Sequence, residues 1–436
     1  MGGGLHGHET VTAASIMSVD TAGPPGGLRA RLRRVAADTR PLKIPAYRRV
    51  FLGQTTAIIG TAVTQVAVPV QVYALSRSSL AVGRAGLVGF APLVVFGLYG
   101  GALADALDRR RLSLFSSLLA WSVTLALLVQ TLLDVRSVGL ILVLVAVQTG
   151  AFAVSSAAEG AIVPALVPTE LIPAANALAF SAMNLGQILG PITAGLLLGL
   201  PHGFAYTYGL DALLFTAVLY STLRLPPMPS VAAAGGVGLR SVIEGLRFLA
   251  GNPVLLTSFA VDIIAMVFAM PQALFPEAAA ERFHGGVGLL YASIGIGSVL
   301  AGAASGWIGR IRRQGVALTV AVVGWGASIA LAGFAQALWL AVTLLILAGA
   351  ADLVSATYRQ TILQTYVPDR MRGRLQGVYT VVVAGGPSLG NLRAGAMAAA
   401  TTLTIAWSGA ALASIVVVAV AALAVRPFWR YDVTRV

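Results

Sequence analysis

Residues Ser155-Ser-Ala-Ala-Glu159-Gly-Ala-Ile162-Val-Pro-Ala-Leu-Val167-Pro168 lead into a second block, Gly186-Gln-Ile-Leu189-Gly190-Pro191-Ile-Thr-Ala194-Gly195. Both blocks return at an offset of 200 residues, and no gap is needed between them. Ser155, Ile162, Val167 and Pro168 recur as Ser355, Ile362, Val367 and Pro368; Gly186, Leu189, Gly190, Ala194 and Gly195 recur as Gly386, Leu389, Gly390, Ala394 and Gly395. Duplication inside apolar helices is a mark of secondary transporters, whose site lies between the repeats near the bilayer midplane.

The surrounding composition agrees with a membrane interior. Of 436 residues, 57% are hydrophobic and 10% charged, against about 25% charged in a soluble domain. Twelve apolar stretches are long enough to cross a core of roughly 30 Å: 51–75, 80–104, 112–133, 138–165, 173–199, 203–224, 254–280, 285–308, 315–335, 337–365, 375–399 and 401–425. Helices are the expected element, because backbone polar groups in lipid need local partners and the alternating pattern of a barrel is missing. The expected architecture is therefore all-α and integral to the membrane, with two pseudo-symmetric six-helix bundles.

The net charge of +13 could suggest nucleic acid, but its placement argues against that. Basic residues crowd Arg29 to Arg49, Arg109–Arg111, Arg224 to Arg247, Arg310–Arg313, Arg370–Arg374 and Arg426 to Arg435, which together hold 23 of the 29 Lys and Arg. These loops alternate along the chain, with both termini on one side, so the positive-inside rule places both termini in the cytoplasm and the protein in the cell membrane. The expected division is a disordered basic tail (1–45), a first bundle (46–224), a cytoplasmic linker (225–253), a second bundle (254–425) and a tail (426–436). In the linker, Ser241-Val-Ile-Glu244 has the form of a capping box opening an amphipathic helix at the interface. The first 27 residues lack a signal-peptide core, and the His6/His8 pair there is read as a bystander. The chain has no Cys, so thiolate metal sites and disulfides are excluded, and no metal site is expected.

The loop after the second span reads Gly101-Ala-Leu-Ala-Asp105-Ala-Leu-Asp108-Arg109-Arg110-Arg111. It resembles the signature Gly-x-Leu-Ala-Asp-Arg-x-Gly-Arg-Arg of the major facilitator superfamily, departing from it at Ala106 and Asp108. The resemblance implies a conformational latch of Gly101, Asp105, Arg109 and Arg110 that breaks when the two halves rock; a solvated turn is the plainer reading. The second half keeps Gly302, Gly306, Arg312 and Arg313 but no Asp.

Gly186, Gly190, Pro191 and Gly195 resemble the Gly-x-x-x-Gly-Pro-x-x-Gly-Gly element of the superfamily's exporters, which implies antiport; ordinary small-residue packing is the alternative. A family arginine in the fourth span is missing, with Ala146 in its place. Residues 352–395, with Gly385-Gly386-Pro387 and Leu389-Gly-Asn-Leu-Arg-Ala-Gly395, are similar to the enterobactin-exporter-like branch, which includes siderophore exporters and multidrug efflux pumps.

Ionisable residues inside spans are costly and hence functional candidates. They are Glu159, Asp211, Asp262, Asp352, Arg359 and Arg393. Glu159 and Arg359 are mates in the repeat and could form a gate or proton-linked pair across the cavity, or snorkel separately. Asp262 and Asp352 lead the proton-coupling candidates, with a permanent salt bridge to Arg359 or Arg393 as the alternative. Asp211 is read first as structural. Gln65, Asn184, Gln187, Met266 and Tyr358 are candidate cavity residues, suited to amphipathic cargo.

The resulting expectation is a monomeric secondary transporter working by alternating access. It would export a drug or siderophore-like metabolite in exchange for protons, with the proton gradient as energy source and no cofactor. No nucleotide-binding loop is present. An uptake symporter and a non-transporting receptor on the same scaffold are the alternatives. A membrane enzyme would need clustered His, Cys or carboxylates, and the chain has four His and scattered acids.

Overall fold

The computed structural model describes residues 38–226, 228, 239–367 and 369–431. Their side chains are described except at 98–106, 161, 239–243, 245, 309, 369–374, 376–381 and 384. A helix occupies each of the twelve expected spans. The first six are α1 (Pro45–Ser76), α2 (Ser79–Ala106), α3 (Arg109–Leu132), α4 (Val138–Leu166), α5 (Ile172–Leu198) and α6 (Gly203–Leu223). After the linker helix α7 (Leu239–Ala250) come α8 (Pro253–Ala269), α9 (Val287–Ala303), α10 (Gln314–Phe334), α11 (Leu338–Tyr366), α12 (Asp369–Ala400) and α13 (Ala410–Ala424), with a final turn α14 (Arg426–Trp429). Among the described residues, nine helical segments are long and apolar enough to cross a membrane, and Val287–Ala303 is a shorter apolar helix.

Packing repeats between the halves. In the first, α1 packs on α5 and α6, α2 on α4, and α3 on α4 and α6. In the second, α8 packs on α12 and α13, α9 on α11, and α10 on α11 and α13. The halves meet through two reciprocal pairs, α2 with α12 and α5 with α9.

The duplicated glycines explain this symmetry. A methyl group at Gly190 would collide with Ala62 of α1, and one at Gly390 with the Met266 carbonyl of α8. At the far ends of the same helices, Gly195 would bring a methyl carbon 2.8 Å from Cα of Gly288 on α9, and Gly395 would strike Ser79 on α2. The first glycine of each block thus seats the helix in its own half, and the last lets it touch the other half. Small residues allow such close backbone approach between membrane helices.

Three segments depart from the expectation. The tail was expected to be disordered through residue 45, yet Arg40–Lys43 forms a 3₁₀ turn with Pro41 buried. Leu42 and Ile44 pack with Tyr47, Val167 and Ala175, so these apolar side chains gain more from burial than from solvent; residues 1–37 lie outside the described part. The C-terminal tail is also seated, with Phe428 fully buried and Tyr431 nearly so. The linker helix is described over Leu239–Ala250, so the backbone of Ser241 lies within it rather than ahead of it. Its Leu249 joins the core with Val254 and Leu255, and α7 rests on α12.

The seventh span is broken. Helix α8 stops at Ala269, a 3₁₀ turn covers Gln272–Leu274, and a π turn covers Ala278–Arg282. Pro271 and Pro276 lack the N–H groups that a continuous ladder needs.

Candidate functional site

A cavity of about 590 Å³ lies between the two halves. The first half contributes residues from α1, α2, α4 and α5; the second contributes the broken segment after α8, helix α9 and Asn391 of α12. Its polar lining is amide and hydroxyl: Thr61, Thr64, Gln65, Gln148, Thr149, Gln187, Gln272, Tyr291 and Asn391 are on the wall, with no acid or base among the described residues. The apolar remainder includes Val82, Leu93, Phe152 and Pro191. Two of these polar groups are fixed by the helix break: the Asn391 side-chain oxygen accepts from the Ala273 N–H at 3.0 Å, and the Tyr291 hydroxyl donates to the Gln272 carbonyl at 3.0 Å.

Of the expected cavity residues, Gln65 and Gln187 are on this wall. Asn184 is not; its amide donates to the Phe180 carbonyl at 2.9 Å along α5. Met266 is used in packing, close against Gly386 and Gly390. Tyr358 is fully buried elsewhere, its hydroxyl donating to the Ile308 carbonyl at 3.1 Å. Gln148, Gln272, Tyr291 and Asn391 were missed. Gln148 carried a legible signal, a lone amide in the otherwise apolar run 138–147. The role of Gln272 depends on the helix break.

At the arginine-poor end the halves are tied together. The Tyr73 hydroxyl of α1 donates to the Glu281 carboxylate at 2.5 Å, and the Ser79 hydroxyl of α2 donates to Glu277. Both glutamates follow the break in the seventh span. Gly395 against Ser79, and Gly195 against Gly288, close the same end.

The membrane-embedded charges separate into three situations. Asp262 and Arg359 form an ion pair within the second half, their side chains 4% and 5% exposed. The repeat mate of Arg359, Glu159 in the first half, accepts from Ser155 Oγ at 2.9 Å, one turn back on α4. Arg393 repairs broken helices, donating to the Val267 carbonyl at 3.0 Å and the Ala406 carbonyl at 3.0 Å. The first lies in the last turn of α8, and the second lies in a π turn over Ile405–Gly409 that leads into α13. At the Val267 carbonyl, in the last turn of a helix, a cation is favourably placed.

Asp211 is different. It is fully buried on α6, and one carboxylate oxygen accepts from Thr64 Oγ1 at 2.6 Å and Thr124 Oγ1 at 3.3 Å. The other oxygen has no hydrogen-bond partner among the described residues. Gln148 donates to Thr124 at 3.3 Å, and both Gln148 and Thr64 line the cavity. A hydroxyl relay thus joins the buried acid to the central space. Asp352, two turns before Arg359 on α11, is half-buried.

The turn after α2 gives Asp108 a definite task. Its side chain caps α3, accepting from the Arg111 N–H at 3.0 Å, and its other oxygen accepts from the Met228 N–H at 3.2 Å. The Arg109 N–H donates to the Met228 carbonyl at 3.2 Å, and the Arg110 guanidinium donates to the Leu223 carbonyl, ending α6, at 2.8 Å. These contacts tie the turn to the end of α6 and to the start of the linker. The side chains of Gly101 and Asp105, the other residues of the expected latch, lie outside the described part.

The family model for "transmembrane secretion effector", a branch of the major facilitator superfamily, matches residues 36–433. The chain belongs to this family. Enterobactin exporter EntS of Shigella boydii serotype 18 is 30% identical over 361 residues, covering 82% of this chain and 86% of the relative. EntS of Citrobacter koseri is 30% identical over 362 residues, with the same shares covered. The crystal structure of the nucleoside transporter NupG superposes with a TM-score of 0.68 at 12% identity, covering 89% of this chain and all of that one. The secretion-effector chain is thus a multi-pass membrane transporter of the major facilitator fold, and it is not an enzyme. Among the described residues, no group of His, Cys, Asp or Glu could hold a metal ion.

Proposed function

We propose that this transporter exports an amphipathic small molecule of siderophore-like or drug-like type, driven by inward proton flow. The central cavity is the observation that supports this most directly. Its volume suits a drug-sized molecule. Its walls offer amides and hydroxyls on an apolar surface, which match a neutral or aromatic cargo better than a phosphate or a dicarboxylate. The similarity to enterobactin exporters favours the same direction and cargo class.

With the arginine-rich ends in the cytoplasm, the described state is closed to the outside. Loading then occurs from the cytoplasm, and release follows when the Tyr73–Glu281 and Ser79–Glu277 contacts part. Coupling runs through Asp211 on this reading. Its hydroxyl partners and its free oxygen let it hold a proton without leaving a buried cation behind, and the relay through Thr64, Thr124 and Gln148 reaches the cargo space. Asp262 is already neutralised by Arg359, so it serves as a fixed element, and Asp352 is the second candidate.

The experiment is substrate-induced proton movement in inverted membrane vesicles. Siderophores, dyes and antibiotics are added to energised vesicles bearing the wild type, Asp211→Asn or Asp352→Asn. The expected result is collapse of the pH gradient by at least one compound, lost in Asp211→Asn while radiolabelled compound still binds. A wild-type response of the opposite sign would establish uptake symport. Persistence of proton movement in Asp211→Asn would transfer the role to Asp352 or elsewhere.

A further inference from the structure

A second cavity, of about 500 Å³, lies away from the central one, between the end of α9, the start of α10 and the inner half of α11. It opens on the periphery: Val320 at its edge is 62% exposed and Trp307 is 46% exposed. Its walls are almost wholly apolar. The one hydroxyl on its wall, Tyr358, is committed to the Ile308 carbonyl. Among the described residues on its wall the one charge is the exposed Arg313, and the exposed Arg310 and Arg312 lie close before it in the chain.

We infer that this groove binds an anionic phospholipid of the cytoplasmic leaflet. An acyl chain fits the apolar trough, which holds no free hydrogen-bonding group to desolvate. The phosphate meets the three arginines, which the positive-inside rule places at the cytoplasmic surface, where anionic lipid is attracted to basic clusters. Trp307 sits at the height where indole rings prefer the headgroup boundary. The acyl chain would press on Tyr358, the residue before Arg359, so an occupied groove braces the helix that carries the Asp262 ion pair. The inference is independent of the cargo and of proton coupling.

The test uses the full-length protein in phosphatidylcholine nanodiscs doped with dibrominated phosphatidylglycerol or, at the same mole fraction, dibrominated phosphatidylcholine. Bromine quenches nearby indoles, and the difference between the wild type and Trp307→Phe isolates the signal of Trp307. The groove predicts half-quenching at a phosphatidylglycerol fraction roughly fivefold or more below that for phosphatidylcholine, since each arginine near the surface favours anionic lipid by about that factor. The preference should fall toward unity in Arg312→Gln/Arg313→Gln, whose exposed positions leave the fold intact. Ala317→Leu, which fills the trough, should weaken quenching by both lipids. Equal quenching by the two lipids in the wild type would mean unselective boundary lipid, or a groove kept for cargo, and would overturn the inference. A preference that survives the double arginine change would also overturn it.

Discussion

Asp262 and Arg359 show how a single buried pair constrains what each partner can do. Removing one charge from a buried pair leaves the other uncompensated, at a cost of about 3–5 kcal/mol. Asp262→Asn is therefore expected to melt well below the wild type, and Asp262→Asn/Arg359→Gln to recover part of the loss, both read from thermal unfolding in detergent. Equal melting of the single variant and the wild type would mean that the pair does not hold the second half together. Thr64→Val tests the Asp211 cage separately: it removes the shorter of the two hydroxyl donors while keeping the volume. The carboxylate then loses a partner, at roughly 1–3 kcal/mol, unless it takes up a proton. A smaller loss of stability at acidic than at neutral pH is the expected outcome. Asp211 and Arg359 could be picked out from the sequence as buried charges. Their partners could not, because Thr64 is 147 residues from Asp211 and many apolar helices carry a threonine.

At the scale of the helix, the glycine blocks do the positioning. Gly190→Ala and Gly390→Ala each force a methyl group into the neighbouring helix, and such overpacking costs about 1–3 kcal/mol. Gly209 on α6 is a matched control, with nothing within 4 Å of an added methyl carbon. Gly209→Ala should be neutral or stabilising by up to about 1 kcal/mol from helix propensity. Melting temperatures of the three variants measure the contrast, and equal shifts would remove the packing argument. The block spacing was legible, since Gly186, Gly190 and Gly195 recur at Gly386, Gly390 and Gly395. The breaks after α8 and before α13 were less so. Prolines at 271 and 276 hint at the first, whereas the π turn at Ile405–Gly409 has no sequence mark of its own. Arg393, a coupling candidate in the sequence, donates to a carbonyl at each of those breaks.

For the molecule as a whole, the two halves touch at the arginine-poor end through α2 with α12 and α5 with α9. Alternating access requires these contacts to open. The absence of cysteine makes a cross-link unambiguous. Ser79→Cys combined with Glu277→Cys replaces two side chains that touch across this end, so joining their thiols holds it shut. Oxidation is expected to abolish transport and reduction to restore it, measured as efflux from cells or uptake into inverted vesicles. Full activity of the oxidised, cross-linked protein would show that this end does not open. Glu277→Gln and Glu281→Gln should each weaken the closed state and raise labelling of a cysteine placed on the cavity wall.

The all-helical membrane class, the pseudo-symmetric halves and the family all followed from local and periodic properties. Apolar run length, the alternation of basic loops and the 200-residue echo each survive without knowledge of any contact. Burial in lipid demands helices whatever their partners. The assignment of charges to roles depended on the tertiary structure. Whether an embedded Asp meets an arginine, as Asp262 does, or only hydroxyls, as Asp211 does, turns on which faces of distant helices are brought together. The cavity wall likewise needed the break after α8, which puts Gln272 on the wall and lets the Ala273 N–H donate to Asn391 of α12. Composition and period report what a helix is made of; its rotation against its neighbours is set by packing across the whole chain.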